Sequence, residues 1–382
     1  MKIAKGRPGR IGSIVVLGLV FIILGIVFCL YRGAADKNMA HESLLPAECY
    51  REVYEEALKN GELSTLETEK EIMDCLGEAG YPAVDYDNQI DMVQPEKVEE
   101  FCRRVEGKEK GEVTVFVVLD NGGYVRYEMH TENGEVAIAE SILTWQDGEP
   151  RQGTADEYAA YSWEYAEKGY LFFEKYQPEG YDGATGHTAL RVKPLDETCR
   201  ELNRKYILPI GYERNNMFIA DWKEQGWGEL NFYDLYEIMY QMKYKEQADF
   251  DFEDMKEIRK IRAGDFEKMF QTYFAVESSD LKDNMTYDEE SDSYPYRPRG
   301  IYERAATSCP RPEVTAYKEN EDGTITLTVD AVWPERNLAR AFSHEVTIRL
   351  LPEGRFQYVS NRILPSPQNT PPTWYTERLP LT

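Results

Sequence analysis

Residues 11–31 form an uncharged, apolar run of 21 residues, and this feature limits the chain more than any other. At 1.5 Å per helical residue, such a run matches the roughly 30 Å hydrocarbon core of a bilayer. Lys2, Lys5, Arg7 and Arg10 precede it, whereas Arg32 and Lys37 follow it with Asp36 between them. The positive-inside rule then places residues 1–10 in the cytoplasm and residues 32–382 outside. The expectation is a single-pass transmembrane helix acting as a signal anchor in the cell membrane. A cleaved signal peptide is the competing reading, with Gly33-Ala34-Ala35 as its processing site. Apolar regions of signal peptides are shorter than this one, which favours the anchor. Lipid attachment at Cys29 is disfavoured, because the bulky Phe28 stands where a small residue is needed.

Charge narrows the partners. The net charge of −25 becomes −30 once Lys2, Lys5, Arg7, Arg10 and Arg32, which precede every acid, are set aside. Nucleic acid is excluded as a partner, since phosphate contacts require clustered cations. An acidic surface of this kind repels anionic lipids and polymers, or serves solubility alone. With 42% hydrophobic and 13% aromatic residues, the chain has enough apolar mass to fold rather than stay disordered.

Cys49, Cys75, Cys102, Cys199 and Cys309 remain beyond the apolar run, and none stands in C-x-x-C spacing. Zinc and thioredoxin-like sites therefore receive no support. Cys49, Cys75 and Cys102 fall on helical patterns and read as buried thiols, with a Cys49–Cys75 bridge left open.

The outer chain reads as α+β, with two antiparallel-sheet units and helices packed on them. Residues 32–107 form a helical linker or layer. There Ser64-Thr65-Leu66-Glu67 caps one helix, and Pro95 opens another with Val98, Phe101, Cys102 and Val105 on one face. Residues 108–248 form the first α+β unit. Its strands are predicted at 113–119, 124–130 and 136–145, then as a hairpin of 158–165 and 170–176. Asn121-Gly122 and Asn133-Gly134 supply hairpin turns. Asp196 and Asn231 cap two later helices, and the second is apolar around most of its girth, with one polar stripe of Asp234, Glu237, Gln241 and Lys245. Residues 249–363 form a C-terminal unit of helices followed by a four-stranded meander. In outline this order resembles NTF2-like and cystatin-like architectures. Residues 364–382 are Pro-rich and expected to be extended.

Catalytic motifs are missing. The four histidines, at 41, 130, 187 and 344, are far apart in sequence. His344 and Glu345 should lie on opposite faces of one strand, so His344 reads as a structural residue. Ser279-Asp280-Leu281-Lys282 matches S-x-x-K without its partner motifs, and a helix-capping role for Ser279 fits better. Residues 249–254 start like a calcium loop, but Asp254 stands where glycine is required. No cofactor and no metal are expected. Tyr161, Trp163 and Tyr165 share one strand face and are the candidate ligand-binding patch, suited to stacking on sugar rings. A core face built of large aromatics is the plainer reading.

Several strings resemble an uncharacterised family of membrane-anchored surface proteins of clostridial-type Gram-positive bacteria, a domain of unknown function. They are Glu132-Asn133-Gly134-Glu135-Val136, Trp145-Gln146-Asp147-Gly148, Arg191-Val192-Lys193-Pro194-Leu195, Pro209-Ile210-Gly211-Tyr212, Leu230-Asn231-Phe232-Tyr233-Asp234-Leu235, Asp322-Gly323-Thr324-Ile325-Thr326-Leu327 and Tyr358-Val359-Ser360-Asn361. The resemblance spans residues 112–363, implies a membrane-anchored surface protein and carries over no catalytic residue. Together these readings lead to a membrane-anchored, extracytoplasmic, non-catalytic binding or scaffold module at the cell envelope. Its expected partners are the membrane, through the N-terminal helix, and an envelope glycan or protein. The alternative is a cell-wall glycan hydrolase using an Asp/Glu pair, since abundant carboxylates permit one.

Overall fold

The computed structural model describes residues 46–181, 183, 185–246, 257–299 and 308–378. The chain is α+β and divides into two compact units: residues 1–87 with 93–158, and residues 88–92 with 159–382.

In the first unit, helices α1 (Arg51–Asn60), α2 (Leu66–Glu78) and α3 (Pro95–Glu106) accompany a five-stranded sheet in the order β1-β2-β3-β4-β5. The strands are Ala83–Asp85, Gly111–Val118, Tyr124–Glu132, Glu135–Gln146 and Glu149–Ala159. Thr65 caps α2 by accepting from the Thr68 N–H, and Pro95 opens α3, which buries Val98, Phe101, Cys102 and Val105. The Asp147-Gly148 turn between β4 and β5 has both residues at positive φ, 54° and 75°, matching the right-handed twist of a hairpin. Arg51 fixes that turn by donating to the Gly148 carbonyl at 2.8 Å.

In the second unit, β6 (Ser162–Tyr165), β7 (Tyr170–Glu174) and β8 (His187–Arg191) form a three-stranded antiparallel sheet. Helix α4 (Glu197–Leu202) starts at the Asp196 cap, and α5 (Phe232–Tyr244) at the Asn231 cap. Strands β10 (Arg259–Arg262) and β11 (Ser293–Tyr296) pair around α6 (Ala263–Tyr273) and α7 (Ser278–Asn284). The main sheet is β12 (Arg311–Glu319), β13 (Thr324–Val332), β14 (Ser343–Leu350) and β15 (Phe356–Ile363), with β9 (Trp222–Lys223) added at the β15 edge. Leu327, Val329, Val346, Ile348 and Tyr358 line its inner face with no exposed surface, in a core shared with Phe266, Phe270 and Phe274. Residues 88–92 join this unit through side chains. Asn88 Nδ2 donates to the Ala189 carbonyl at 3.1 Å, and Arg200 Nε donates to Asp91 Oδ1 at 2.9 Å.

Several expectations are corrected. The sequence leads to a transmembrane helix followed by two antiparallel-sheet units. The described residues instead hold four sheets, and β1 pairs with β2 in parallel, so the first sheet is not wholly antiparallel. No helix among the described residues is long and apolar enough to cross a membrane; the run at 11–31 lies outside them. The predicted strand 158–165 is split at Tyr161, between β5 and β6. The Pro-rich tail, expected only to be extended, is in addition packed: Trp374 is 2% exposed, stacks on Phe342 at 5.9 Å and meets Trp333 edge-on at 4.9 Å. The polar stripe of α5 is buried at its first residue, Asp234, and reaches solvent at Gln241 and Lys245. Asp234 carries a buried ion pair to Arg299 at 2.7 Å and a second to Arg378 at 3.2 Å, so guanidinium groups replace the solvent that such a stripe normally meets. Glu277, rather than Ser279, caps α7, because its side chain and Asp280 complete the capping box. Cys49 is exposed, and neither Cys49 nor Cys75 is bridged. The acidic segment 249–254 lies outside the described residues.

Candidate functional site

Strand alternation on the main sheet sends apolar side chains inward and leaves a polar outer face. Register places Thr326 opposite Thr347, Thr347 opposite Ser360, and Ser360 opposite Lys223, so one row of hydroxyls crosses three strands and ends on an amine. The Thr326 and Thr347 hydroxyls lie 3.3 Å apart, and Asn320 Nδ2 donates to Thr326 at 2.9 Å. The neighbouring row brings Glu345 opposite Arg362, with an ion pair of 2.6 Å.

The segment 221–228 rises beside this face and closes it into an open groove of about 770 Å³. Its shape depends on a reversal in which Gly226, Trp227 and Gly228 all have positive φ, at 111°, 54° and 56°. A Cβ on Gly228 would stand 2.4 Å from the Asp221 carbonyl oxygen, so only glycine fits there. Trp227 is held in this conformation by burial against Trp222, Phe232 and Phe274. Its indole Nε1 is buried without a hydrogen-bond partner, so packing rather than polar satisfaction holds the ring.

Every carboxylate lining the groove is already engaged. Glu224 receives both arms of the Arg349 guanidinium, at 2.5 and 2.9 Å, and Glu345 pairs with Arg362. These carboxylates in turn push both arginines above their usual range. Asp221 Oδ1 accepts the Ile363 backbone N–H at 2.7 Å. Lys223 is exposed at the end of the hydroxyl row.

Beneath the floor, His344 has no exposed surface. Its Nδ1 is 2.7 Å from Asn361 Oδ1 and its Nε2 is 2.8 Å from the Tyr212 hydroxyl. Asn361 Nδ2 donates to the Ala220 carbonyl at 2.8 Å, which leaves its Oδ1 as the acceptor and assigns the proton to Nδ1. Tyr212 then donates to Nε2. Burial pushes the imidazole down to about 4, so it is neutral at ordinary pH. Both ring nitrogens are committed on the core side, so His344 offers the groove no general base. The chain from Tyr212 through His344 and Asn361 to Ala220 instead anchors the start of the groove wall.

The candidate aromatic patch is divided. Tyr161 is 65% exposed and meets Tyr176, itself 61% exposed, at a ring separation of 5.4 Å. Trp163 and Tyr165 are half-buried, and the Trp163 Nε1 is buried without a partner. None of the three lines the groove. The groove residues themselves escaped sequence reasoning. The alternation Thr324-Ile325-Thr326-Leu327-Thr328 was the available signal for a polar outer face, but the 221–228 wall had none. Among the described residues, no group of three or more His, Cys, Asp or Glu side chains could hold a metal ion.

The class this defines is an α+β protein with an open, polar, ion-paired groove on the outer face of an antiparallel sheet. The chain belongs to a family of unknown function, DUF6070, whose model matches residues 36–378. That match extends past both ends of the 112–363 span on which the sequence resemblance was drawn. No curated protein and no solved structure matches the chain.

Proposed function

We propose that the chain is a non-catalytic binding module of the cell envelope, with residues 32–382 on the outer side, and that its ligand lies in the groove over Thr326, Thr347 and Ser360. The observation that carries this reading is the engagement of every groove carboxylate. A glycoside hydrolase needs one carboxyl free to give a proton and a second free to attack or to activate water. Glu224 and Glu345 are each neutralised by a guanidinium, and Asp221 is held by a backbone N–H. A row of hydroxyls contributed by three adjacent strands suits a ligand with repeated polar groups, such as an uncharged glycan or the peptide attached to it. The −25 net charge supports an uncharged partner over an anionic one. The cations before residue 11 and the acidic excess after it support the outer location. The Tyr161–Tyr176 pair adds an exposed aromatic surface on which a sugar ring can stack.

The test is co-sedimentation of the purified chain with lipid-free cell-wall sacculi, with release of reducing ends followed in the same tube. Binding without release supports a binding module. Release that is abolished by Glu345→Gln or Glu224→Gln would establish the hydrolase alternative.

A further inference from the structure

The acids lining the groove all have partners inside the chain, and one base does not. Glu224 and Glu345 are each covered by a guanidinium, and Asp221 accepts a backbone N–H. Lys223 lines the same groove, is exposed, and makes no ion pair or side-chain hydrogen bond among the described residues. Its backbone is nonetheless firmly placed. Trp222, the other residue of β9, is 4% exposed, stacks on Trp227 and donates from Nε1 to the Met217 carbonyl at 2.7 Å. The Lys223 carbonyl accepts the Trp227 N–H at 3.0 Å, which ties β9 to the reversal at residues 226–228. Pairing with Ser360 sends the lysine side chain to the outer face, in line with the hydroxyls, because residues directly opposite each other share a face.

The row therefore has a direction: the hydroxyls of Thr326, Thr347 and Ser360, then an ammonium. From β13 to β9 it crosses three strand separations, about 14 Å, which an extended peptide covers in about four residues. Hydroxyls both donate and accept, so they suit the successive N–H and C=O groups of a peptide. An ammonium only donates, and it suits a negatively charged acceptor at the end of such a chain. Among the described residues, the aromatic side chain lining the groove is the buried Trp222, so a sugar ring finds no exposed ring to stack on there. The net charge of −25 turns away polyanions, whereas a ligand with a single carboxylate is drawn to an uncommitted ammonium at short range.

We propose that the groove takes a short extended peptide by its C-terminal end, with the terminal carboxylate on the Lys223 ammonium and about four residues over Ser360, Thr347 and Thr326. This assignment rests on the groove being the ligand site, as proposed above, and narrows the ligand there to a peptide with a free carboxyl terminus.

The test is isothermal titration of the full-length chain with N-acetyl-tetraalanine, as the free acid and as the C-terminal amide. The free acid should bind about fivefold more tightly than the amide. Lys223→Gln should bring the acid down to the level of the amide and leave the amide unchanged, and Lys223→Glu should weaken the acid further. Lys318 is the control: it is exposed and lies opposite Thr326 at the far end of the row, but does not line the groove. Lys318→Gln should change neither affinity. Unchanged circular dichroism and melting temperature confirm that each variant folds. The proposal is overturned if neither peptide binds, if acid and amide bind equally, if their difference survives Lys223→Gln, or if Lys318→Gln costs as much. Glucuronate bound with the same dependence on Lys223, in place of the peptide, would identify an acidic sugar instead and also overturn it. Retention of the same preparation on cell-wall sacculi separates the two levels of the account. Retention without discrimination between acid and amide overturns this proposal alone, whereas no retention and no peptide binding overturns the groove reading with it.

Discussion

The neutral, fully buried His344 makes the second unit sensitive to acid in a way that can be worked out. In the unfolded chain the imidazole titrates near its ordinary value of 6.5, whereas burial holds it near 4 in the folded protein. Asp330 and the Asn361 hydrogen bond oppose that shift only in part. Between about pH 6.5 and pH 4 the unfolded chain therefore binds a proton that the folded chain refuses. Stability contributed by neutral His344 is fully present above 6.5, falls as pH drops, and is gone below about 4. At 1.36 kcal/mol per pH unit, the gap is worth about 3 kcal/mol. The perturbation is His344→Gln, which cannot charge. Urea unfolding followed by tryptophan fluorescence reports chiefly on the second unit, which holds Trp163, Trp222, Trp227, Trp333 and Trp374, whereas the first holds Trp145. At pH 7.5 the variant should be less stable by about 1–3 kcal/mol, through its imperfect replacement of the bonds to Tyr212 and Asn361. By pH 4 that deficit should close or reverse. A deficit constant from pH 7.5 to pH 4 would refute the assignment of His344 as neutral and buried.

Glu69 should act with the opposite sign in the first unit, because burial, with Asp85, Asp87 and Asp120 adding to it, pushes its carboxyl up to about 7. Its contribution is present below about pH 4.5 and lost as pH rises through 7, so Glu69→Gln should stabilise by about 1–3 kcal/mol at pH 8 and by little at pH 4, read by hydrogen exchange of the first unit's backbone amides. Gly228→Ala meets both a left-handed φ of 56° and a 2.4 Å approach to the Asp221 carbonyl; it should cost about 2 kcal/mol or more and lower the melting temperature by several degrees. Trp374→Ala should cost about 3–5 kcal/mol by urea unfolding, since it empties a site between Phe342 and Trp333. Asp234→Ala leaves Arg299 and Arg378 facing each other without their shared acid and should destabilise by about 3–5 kcal/mol on the same measure.

What the sequence disclosed was local. Caps at Thr65, Asp196 and Asn231, the proline at the start of α3 and the turns at Gly134 and Gly323 need only a few neighbouring residues to act, and each marks an element end. The opposition of His344 and Glu345 follows from strand alternation alone, with one buried and the other in the groove. Elements defined by distant partners stayed hidden. Strands β9 and β1, of two and three residues, exist because β15 and β2 offer them an edge. Residues 88–92 join the second unit only because Ala189 and Arg200 reach them. The α5 stripe gives no local sign of the ion pairs at Asp234, because Arg299 and Arg378 arrive from far along the chain. Tyr161 found Tyr176 rather than Trp163 as its aromatic neighbour because β6 begins one residue later, at Ser162. The groove combines both kinds of information: alternation writes its floor, and the positive-φ reversal at residues 226–228 shapes its wall.

Filling that floor tests the central claim most directly. Thr347→Trp places an indole over the hydroxyl row while leaving the inner face of β14 untouched. The two chains would be compared for retention on lipid-free sacculi, with reducing ends counted in each supernatant. The account predicts that the wild-type chain is retained, that the Thr347→Trp chain is not, and that neither releases reducing ends. Equal retention of both chains, or reducing ends released by the wild type, would contradict it.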